Sequence, residues 1–421
     1  MRYGLIGEKL GHSFSKEIHE RIADYKFDLI PLDKEEFKDF MGKKDFTAIN
    51  VTIPYKKDVM PYLDEIDPHA KAIGAVNTIV NRDGKLHGYN TDFTGFLYMV
   101  KKHNVQMQGK KVLVIGNGGA SAAIQAVVNH EQAKEMIIVD IVAGNGAISY
   151  DECFAKHLDA EIIINTSPIG MYPKIGNAPI DITMFPNCKS VMDVIYNPIL
   201  TRLCFEAQEE GIQRVMGLEM LIAQAKQSVE HFLDKTVNDD VIDTIFQDML
   251  KQRCNIVLIG MPSAGKTTIG KMLEQRMNKE FIDLDDKIIE KAGKSIPEIF
   301  EESGEAGFRA IETEVAIELA KENNKIIATG GGTIKNKINM DYLRQNGITI
   351  FIDRDINKLI SADPNRPLSK SKDALQQLHD ERYHLYQKYA AYIAVNNTEI
   401  EETVNEIEDA YRSILMAAIT D

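Results

Sequence analysis

The sequence predicts an α/β protein built on parallel β-sheets. Short runs of β-branched and aliphatic residues alternate with amphipathic segments along the whole chain, which is typical of parallel sheets covered by helices. Two of these runs, at 111–115 and 255–259, lead into glycine-rich turns that open a helix. The predicted strands are 3–6, 47–51, 112–115, 136–139, 162–164, 191–194, 256–259, 326–328 and 348–352.

A boundary between two parts of the chain is expected near residue 250. Apolar residues recur at helical spacing from Leu218 to Phe232 and, after a break, from Ile242 to Met249. A new strand begins soon afterwards at Asn255, so little room remains for a flexible linker. The length of 421 residues also suggests more than one domain.

Composition is that of a globular protein and excludes several function classes. Hydrophobic residues make up 44% and charged residues 27% of the chain, and the formal net charge is −14. This acidic balance disfavours nucleic acid as a partner. The four cysteines show no C-x-x-C pair, which argues against a disulfide scaffold or a zinc ribbon. No signal-peptide pattern and no apolar run of about 20 residues is present, so we expect a soluble cytoplasmic protein without membrane partners.

Residues 260–267 match the phosphate-binding pattern G-x-x-x-x-G-K-[ST] between an apolar strand and a helix. The glycines let the loop wrap the phosphates, Lys266 reaches the β- and γ-phosphate oxygens, and the Thr267 hydroxyl coordinates Mg²⁺. The pattern therefore predicts an ATP site. Its expected residues are Gly260, Pro262, Ser263, Ala264, Gly265, Lys266, Thr267 and Thr268.

Five further motifs follow this loop in order. They are F-I-D-L-D at 281–285, G-E-A-G-F-R-A-I-E at 304–312, T-G-G-G-T at 329–333, R-P-L at 366–368 and E-R-Y-H-L-Y at 381–386. The ordered set resembles the shikimate kinases across 253–421. This resemblance implies a P-loop kinase α/β domain with a parallel sheet, which transfers phosphate from Mg·ATP to shikimate.

The resemblance also assigns roles within these motifs. Two aspartates stand two residues apart on an expected extended segment and serve the metal and the acceptor hydroxyl. Two arginines suit a planar carboxylate, which a guanidinium grips through two hydrogen bonds. The implied catalytic residues are Asp285, Lys266 and Arg366; the metal ligands are Thr267 and Asp283; the substrate contacts are Asp285, Arg309, Gly331 and Arg382; and Arg366 also contacts ATP.

In the first part of the chain, Gly116–Ala120 form a variant dinucleotide-binding turn, which alone is a weak signal. Six motifs surround it: G-H-S-F-S at 11–15, N-V-T-I-P-Y-K at 50–56, I-G-A-V-N-T at 73–78, G-Y-N-T-D at 88–92, N-T-S-P-I-G-M at 165–171 and D-V-I-Y-N-P at 193–198. Together they resemble the shikimate dehydrogenases across about 1–250. The resemblance implies a substrate-binding domain at 1–98 plus 219–250 around a Rossmann dinucleotide-binding domain at 99–218.

Reduction of a ketone requires a hydride donor, a proton donor and a polar cradle for the substrate. A lysine is cationic at neutral pH and can protonate the developing alkoxide, and a neighbouring aspartate can hold it. The resemblance gives these catalytic roles to Lys56 and Asp92. It implies substrate contacts from Ser13, Ser15, Thr52, Asn77, Asn90, Tyr196 and Gln224, and cofactor contacts from Gly116, Asn117, Gly118, Gly119, Ala120, Asp140, Thr166 and Gly217.

The choice between NADP and NAD depends on the end of the second nucleotide-domain strand. Relatives that prefer NADP carry Asn-Arg-Thr there, and the arginine pairs with the 2′-phosphate. Asp140 and Ile141 occupy the first two of these positions. An acidic residue about 20 residues after the glycine-rich turn suits a ribose hydroxyl and repels a 2′-phosphate. We therefore expect weak discrimination or a preference for NADH.

The two resemblances support each other, because the product expected of the first part is the substrate expected of the second. We predict a bifunctional enzyme of aromatic biosynthesis that reduces 3-dehydroshikimate with NADPH or NADH and phosphorylates shikimate with Mg·ATP. Two alternatives remain: an NAD-linked quinate/shikimate dehydrogenase fused to a kinase, and a metabolite-sensing regulator built from inactive enzyme domains. The oligomeric state is not predicted.

Overall fold

The computed structural model describes residues 2–11, 13–359 and 372–417. The chain divides into two compact units, Met1–Phe246 and Gln247–Asp421. Sequence patterns predict nine strands, and each of them is a strand in the structure, with bounds that differ by one or two residues.

The first sheet of the first unit is mixed and has the strand order β2-β1-β3-β5-β6-β4. Its strands are β1 (Tyr3–Gly7), β2 (Phe27–Pro31), β3 (Ala48–Val51), β4 (Glu65–Ile66), β5 (Thr78–Arg82) and β6 (Lys85–Tyr89). Strand β5 runs antiparallel to both β3 and β6, so the expectation of parallel sheets is wrong for this sheet. The cause is the hairpin turn at Asp83 and Gly84, where both residues have positive φ. An Asp-Gly pair favours this two-residue hairpin turn.

The second sheet of the first unit is entirely parallel and has the order β12-β11-β10-β7-β8-β9. Its strands are β7 (Lys111–Ile115), β8 (Glu135–Val139), β9 (Ala147–Ile148), β10 (Ile162–Asn165), β11 (Ser190–Asp193) and β12 (Gln213–Met216). Val112 and Val114 point into one hydrophobic cluster, whereas Leu113 and Ile115 point into another. Burial on both faces explains why these strands are continuous apolar runs in the sequence.

The sheet of the second unit is also parallel and has the order β14-β15-β13-β16-β17. Its strands are β13 (Asn255–Ile259), β14 (Glu280–Asp283), β15 (Lys325–Ala328), β16 (Gly347–Asp353) and β17 (Tyr392–Val395). Strands β13, β15 and β16 are its central strands, and nearly all their side chains are buried.

Helices connect the strands in both units. The helices are α1 (Ser15–Ile22), α2 (Lys34–Lys43), α3 (Pro68–Ile73), α4 (Thr91–Lys102), α5 (Ser121–His130), α6 (Tyr150–Lys156), α7 (Arg202–Glu209), α8 (Leu218–Leu233), α9 (Asp240–Arg253), α10 (Lys266–Met277), α11 (Leu284–Ala292), α12 (Ile296–Leu319), α13 (Lys337–Gln345), α14 (Lys372–Tyr389) and α15 (Ile400–Ala417). Helix α12 is interrupted at Gly304, which has non-helical backbone angles. None of the helices among the described residues combines the length and the apolar character that a membrane span needs.

Candidate active sites

The first unit carries an ion pair in which Lys56 Nζ donates to Asp92 Oδ2 at 2.6 Å. The two side chains are only 13% and 11% exposed. Lys56 lies in the turn after β3, and Asp92 lies in the first turn of α4. A cationic donor held by a carboxylate in a largely desolvated position can deliver a proton to an oxygen that gains negative charge.

The position of Asp92 follows from how α4 begins. Asn90 is the N-cap of this helix, and its Oδ1 accepts from the backbone N–H groups of Asp92 and Phe93. Its Nδ2 donates to the carbonyl of Ala75 at 2.9 Å. Asn77 Oδ1 accepts from the backbone N–H of Thr91 at 2.8 Å. Two of the amides predicted to bind substrate therefore also hold the start of the helix that carries Asp92.

The two serines of the 11–15 motif lie together at the start of α1. Ser13 Oγ is 3.1 Å from Ser15 Oγ and accepts from the backbone N–H of Ser15. Ser15 is the first helical residue rather than the N-cap, so its hydroxyl does not cap this helix. The aromatic ring of Phe14, between the two serines, packs against Tyr196 with ring centroids 5.1 Å apart. Residues predicted from distant motifs are thus brought together within this unit.

The glycine-rich turn at 116–120 leaves space where a cofactor phosphate is expected. A Cβ at Gly118 or Gly119 would meet nothing within 4 Å, and the turn leads directly into α5. The backbone N–H groups at a helix start favour a phosphate. Thr166 Oγ1 donates to the carbonyls of Ile115 and Gly116 and holds the turn against the end of β10. Gly217 packs so closely on β11 that a Cβ would lie 2.4 Å from the carbonyl of Val194.

Asp140 follows β8 and faces the same turn. Its Oδ2 accepts from the backbone N–H of Asn117 at 2.7 Å, and its Oδ1 accepts from the backbone N–H of Val142. The next two side chains, Ile141 and Val142, are 79% and 74% exposed. The carboxylate therefore lies at the rim of the turn, and position 141 carries an exposed isoleucine rather than a basic residue.

Asp193 is a buried carboxylate that begins the 193–198 motif, although no role was predicted for it from the sequence. It accepts hydrogen bonds from Asn165 Nδ2 at 3.0 Å, from Thr201 Oγ1 at 2.8 Å and from the backbone N–H of Ile195 at 2.9 Å. These contacts join the loop after β10, which carries Thr166, to the loop after β11, which carries Tyr196. Burial raises the pKa of Asp193 to about 7.

The raised pKa of Asp193 predicts a pH dependence of stability. Because the folded-state pKa lies above the unfolded value of about 4, ionisation is disfavoured in the folded state, and stability falls as pH rises through 7. Between pH 5 and pH 8 this loss amounts to about 2 to 3 kcal/mol.

The variant Asp193→Asn lacks the ionisable group and therefore does not show this loss. In urea unfolding, the free energy of unfolding of the variant should rise relative to that of the parent protein as pH rises. In Asp181→Asn, which alters an exposed aspartate that also accepts a backbone N–H, the difference from the parent should stay constant with pH. A constant difference for Asp193→Asn would contradict this prediction.

In the second unit, the phosphate-binding loop joins β13 to α10. Lys266 Nζ donates to the loop carbonyls of Gly260 at 2.8 Å and Met261 at 2.9 Å, and its side chain is buried. Gly265, the N-cap of α10, packs against Asn396 at the end of β17. Asn396 Nδ2 donates to the carbonyl of Ala264 at 2.8 Å and so supports the loop from the end of β17, two strands away in the sheet.

The two aspartates after β14 differ from the expected extended arrangement. The strand ends at Asp283, which is the N-cap of α11 and accepts from the backbone N–H of Asp285 at 3.1 Å. Asp285 therefore lies in the first helical turn, because the capping carboxylate starts a helix there. Thr267 Oγ1 donates to Asp283 Oδ2 at 2.9 Å, so the two predicted metal ligands are adjacent.

Arg309 lies over the glycine-rich loop at 330–332. Its Nη1 donates to the buried Glu312 at 2.9 Å, and Glu312 Oε1 accepts from Thr333 Oγ1 at 2.7 Å. A Cβ at Gly332 would lie 2.3 Å from Arg309 Nη2, so a side chain at this position would displace the guanidinium. Glu312 was not predicted from the sequence, although it stands three residues after Arg309 on the same helix face.

Arg382 lies on α14 near the same loop. It is 3% exposed, and its Nε has no hydrogen-bond partner among the residues that the structure describes. A hydrogen bond from Lys335 lowers the pKa of Glu381, with smaller contributions from the positive charges of Arg382 and Arg309. Tyr386 donates to the carbonyl of Gly331 at 2.5 Å and anchors the loop. Arg366 lies outside the described residues.

Comparison with known proteins relates both units to enzyme families. Residues 5–79 match the family model of the shikimate dehydrogenase substrate binding domain, and residues 262–412 match the shikimate kinase model. The shikimate dehydrogenase (NADP(+)) of Clostridium beijerinckii is 38% identical over 245 residues, which cover 54% of this chain and 90% of the relative. The corresponding enzyme of Clostridium perfringens is 35% identical over 277 residues, covering 58% of this chain and 97% of the relative.

Solved structures give the same relationship for the first part of the chain. A chorismate mutase/shikimate 5-dehydrogenase fusion protein from Clostridium acetobutylicum superposes with a TM-score of 0.55 at 38% identity, covering 59% of this chain and 96% of that chain. Shikimate 5-dehydrogenase from Listeria monocytogenes, solved with shikimate and NAD, gives a TM-score of 0.51 at 30% identity, covering 58% and 96%. This chain therefore belongs to the shikimate dehydrogenase family through its first part, carries a shikimate kinase domain in its second, and is a bifunctional enzyme of aromatic biosynthesis.

Proposed function

We propose that the first unit reduces 3-dehydroshikimate to shikimate with NADPH or NADH, and that the second transfers phosphate from Mg·ATP to the 3-hydroxyl of shikimate. The observation that carries this proposal is that the two matched families share one metabolite, shikimate. The product of the first reaction is then the substrate of the second.

A nicotinamide cofactor held by the glycine-rich turn would supply the hydride for the carbonyl carbon of the substrate. Lys56 donates a proton to the carbonyl oxygen, so that the ketone gains one hydride and one proton and becomes an alcohol. Asp92 accepts a hydrogen bond from Lys56 and keeps the ammonium aimed at that oxygen. Ser13, Ser15, Thr52, Asn77, Asn90, Tyr196 and Gln224 bind the hydroxyl groups and the carboxylate of the substrate.

In the kinase site, Arg309 and Arg382 bind the shikimate carboxylate, and Asp285 orients the acceptor hydroxyl and takes its proton. A Cβ at Gly330 would lie 2.8 Å from Asp285 Oδ1, so this carboxylate faces the glycine-rich loop that we assign to the substrate. Lys266 stabilises charge on the transferring phosphoryl group. Arg366 is assigned the same role and a contact with ATP.

The adjacent oxygens of Thr267 and Asp283 suit Mg²⁺, which prefers oxygen ligands and takes few of them from the protein at nucleotide sites. The metal would neutralise charge on the phosphate oxygens. We assign the two residues to it on this chemistry.

The proposal is tested by following both reactions in the purified full-length protein. We expect NAD(P)H oxidation on addition of 3-dehydroshikimate and, with Mg·ATP, formation of one shikimate 3-phosphate for each shikimate supplied. Turnover of quinate rather than shikimate in the oxidative direction would overturn the substrate assignment. Failure of both reactions in a folded protein would overturn the proposal as a whole.

The cofactor preference gives a separate prediction. The curated relatives are named as NADP(+) enzymes, whereas this chain carries a negative charge at Asp140, which we assign to the ribose of the cofactor. We expect weak discrimination or a preference for NADH. The double variant Asp140→Asn/Ile141→Arg should raise the kcat/KM ratio of NADPH to NADH by roughly 10–100-fold, the effect of a hydrogen bond to a charged group.

The single variant Asp140→Asn provides the control for this prediction. It removes the repulsion but retains an acceptor for the backbone N–H of Asn117, so it should account for only part of the change. Steady-state kinetics with both cofactors measure the ratios. A strong NADPH preference in the unmodified protein would contradict the role given to Asp140.

A further inference from the structure

A cluster of buried hydroxyl and amide groups lies beneath the proposed dehydrogenase substrate site, and Ser228 is its centre. The Ser228 hydroxyl is 2.8 Å from Asn50 Nδ2, 3.0 Å from Thr78 Oγ1 and 3.1 Å from Thr91 Oγ1. It also lies 3.0 Å from the carbonyl of Gln224, one helical turn earlier. Ser228 is completely buried. We call Asn50, Thr78, Thr91 and Ser228 the hydroxyl cluster.

Each member of the hydroxyl cluster belongs to an element that carries residues assigned to catalysis or substrate binding. Asn50 is on β3, two residues before Thr52, and Thr78 follows Asn77 on β5. Thr91 begins α4 directly before Asp92, and Ser228 is on α8 with Gln224. The cluster therefore joins four elements that converge on one site.

The hydrogen bonds of the cluster reach two of the proposed substrate-binding amides. Thr78 Oγ1 donates to Asn77 Oδ1 at 3.0 Å, and Thr91 Oγ1 donates to Gln224 Oε1 at 3.4 Å. Asn50 Nδ2 also donates to the backbone carbonyl of Asn77 at 3.1 Å. Since that carbonyl can only accept, the amide group of Asn50 must face the cluster with its NH₂ side, so Asn50 donates to Ser228 and Thr78.

We propose that Ser228 is a positioning residue of the dehydrogenase, which sets the alignment of Asp92, Asn77 and Gln224 through the hydroxyl cluster without itself touching the substrate. A hydroxyl carries one proton, so Ser228 accepts from Asn50 Nδ2 and donates to one of its other three neighbours when Thr78 and Thr91 donate to the amides. Alanine serves none and leaves buried polar groups without this partner. This inference rests on the proposed substrate assignment of the first unit.

The test compares Ser228→Ala with Ser190→Ala in the full-length protein. Ser190 is also buried, and its hydroxyl donates to Gln213 Oε1 at 2.6 Å in the nucleotide-binding sheet. A displacement of the reacting groups by about 1 Å costs on the order of 10²-fold in rate. We expect Ser228→Ala to lower kcat/KM for shikimate by about 10–100-fold, with KM for the cofactor unchanged, and Ser190→Ala to leave both values unchanged.

A cysteine variant separates hydrogen bonding from packing. Ser228→Cys fills the space of the side chain but offers only a weak donor and acceptor, so it should remain impaired. Recovery of activity in Ser228→Cys, or equal activity of Ser228→Ala and Ser190→Ala, would overturn the inference.

A second variant is available if Ser228→Ala does not fold. Thr91→Val removes the hydroxyl on the other side of the contact with Ser228 and should lower kcat/KM to the same extent. Normal kinetics in Thr91→Val would also overturn the inference. If the unmodified protein does not turn over shikimate with either cofactor, the proposed function itself has failed.

Discussion

Replacing Lys56 with alanine should lower the rate of 3-dehydroshikimate reduction by about 10²–10⁴-fold, the typical effect of losing a group that transfers a proton. The ammonium of Lys56 is the donor in the partly buried ion pair with Asp92. Without it, the developing alkoxide lacks a positioned proton, and Asp92 is left without its cationic partner. Steady-state kinetics with 3-dehydroshikimate and NADPH or NADH measure the loss.

The neighbouring Lys57 gives a matched control for this variant. It is exposed and one residue further along the same turn, so Lys57→Ala removes an equal charge without removing the donor. We expect it to retain near-normal dehydrogenase activity, and we expect both variants to phosphorylate shikimate at the normal rate. Near-normal reduction by Lys56→Ala would remove Lys56 from the mechanism.

Replacing Lys266 with alanine should lower the rate of shikimate phosphorylation on the order of 10²–10³-fold, as expected when one electrostatic contact to the transition state is lost. Lys266 already lies within the phosphate-binding loop, where it donates to two of the loop carbonyls. Alanine removes the positive charge between the phosphates. A coupled assay of ADP release under saturating shikimate measures the effect.

Two comparison variants identify the origin of this loss. Lys271→Ala alters an exposed lysine on the same helix and should leave phosphorylation unchanged. Arg309→Lys retains a positive charge but loses the planar guanidinium, which binds a carboxylate through two hydrogen bonds. It should therefore raise KM for shikimate far more than KM for ATP. Equal rises of the two KM values in Arg309→Lys would contradict its assignment to the carboxylate. A normal rate in Lys266→Ala would exclude its role in phosphoryl transfer.

Local patterns predicted much of the fold. All nine predicted strands are present because buried parallel strands leave continuous apolar runs that can be recognised without a structure. The predictions missed the strands β2, β5, β6, β12 and β17 and the two-residue strands β4 and β9, whereas β14 was expected only as the extended segment that carries Asp283. The missed strand β6 alternates buried and more exposed residues, and the Asp83-Gly84 pair between β5 and β6 is a hairpin signal.

The helix start after β14 shows where a local pattern misled the prediction. The sequence predicted one extended segment for Asp283 and Asp285. In the structure, the side chain of Asp283 accepts a hydrogen bond from the backbone N–H of Asp285, and α11 begins there. The consequence is functional, because Asp283 then lies beside Thr267 while Asp285 faces the glycine-rich loop. An aspartate is among the preferred N-cap residues, so the helix start could have been recognised.

The sequence by itself determined the two nucleotide-binding turns, the order of the motifs and the family resemblance, because these depend on residues close together in the chain. Only the tertiary structure decided what supports them. Ser228 meets Asn50, Thr78 and Thr91 across separations of 178, 150 and 137 residues, and in the sequence it is a small residue on an apolar helix. Asp193 likewise becomes a buried carboxylate only when β10 and β11 pair. Such contacts arise from the packing of distant elements and the need to satisfy buried polar groups, and no local pattern of residues specifies them.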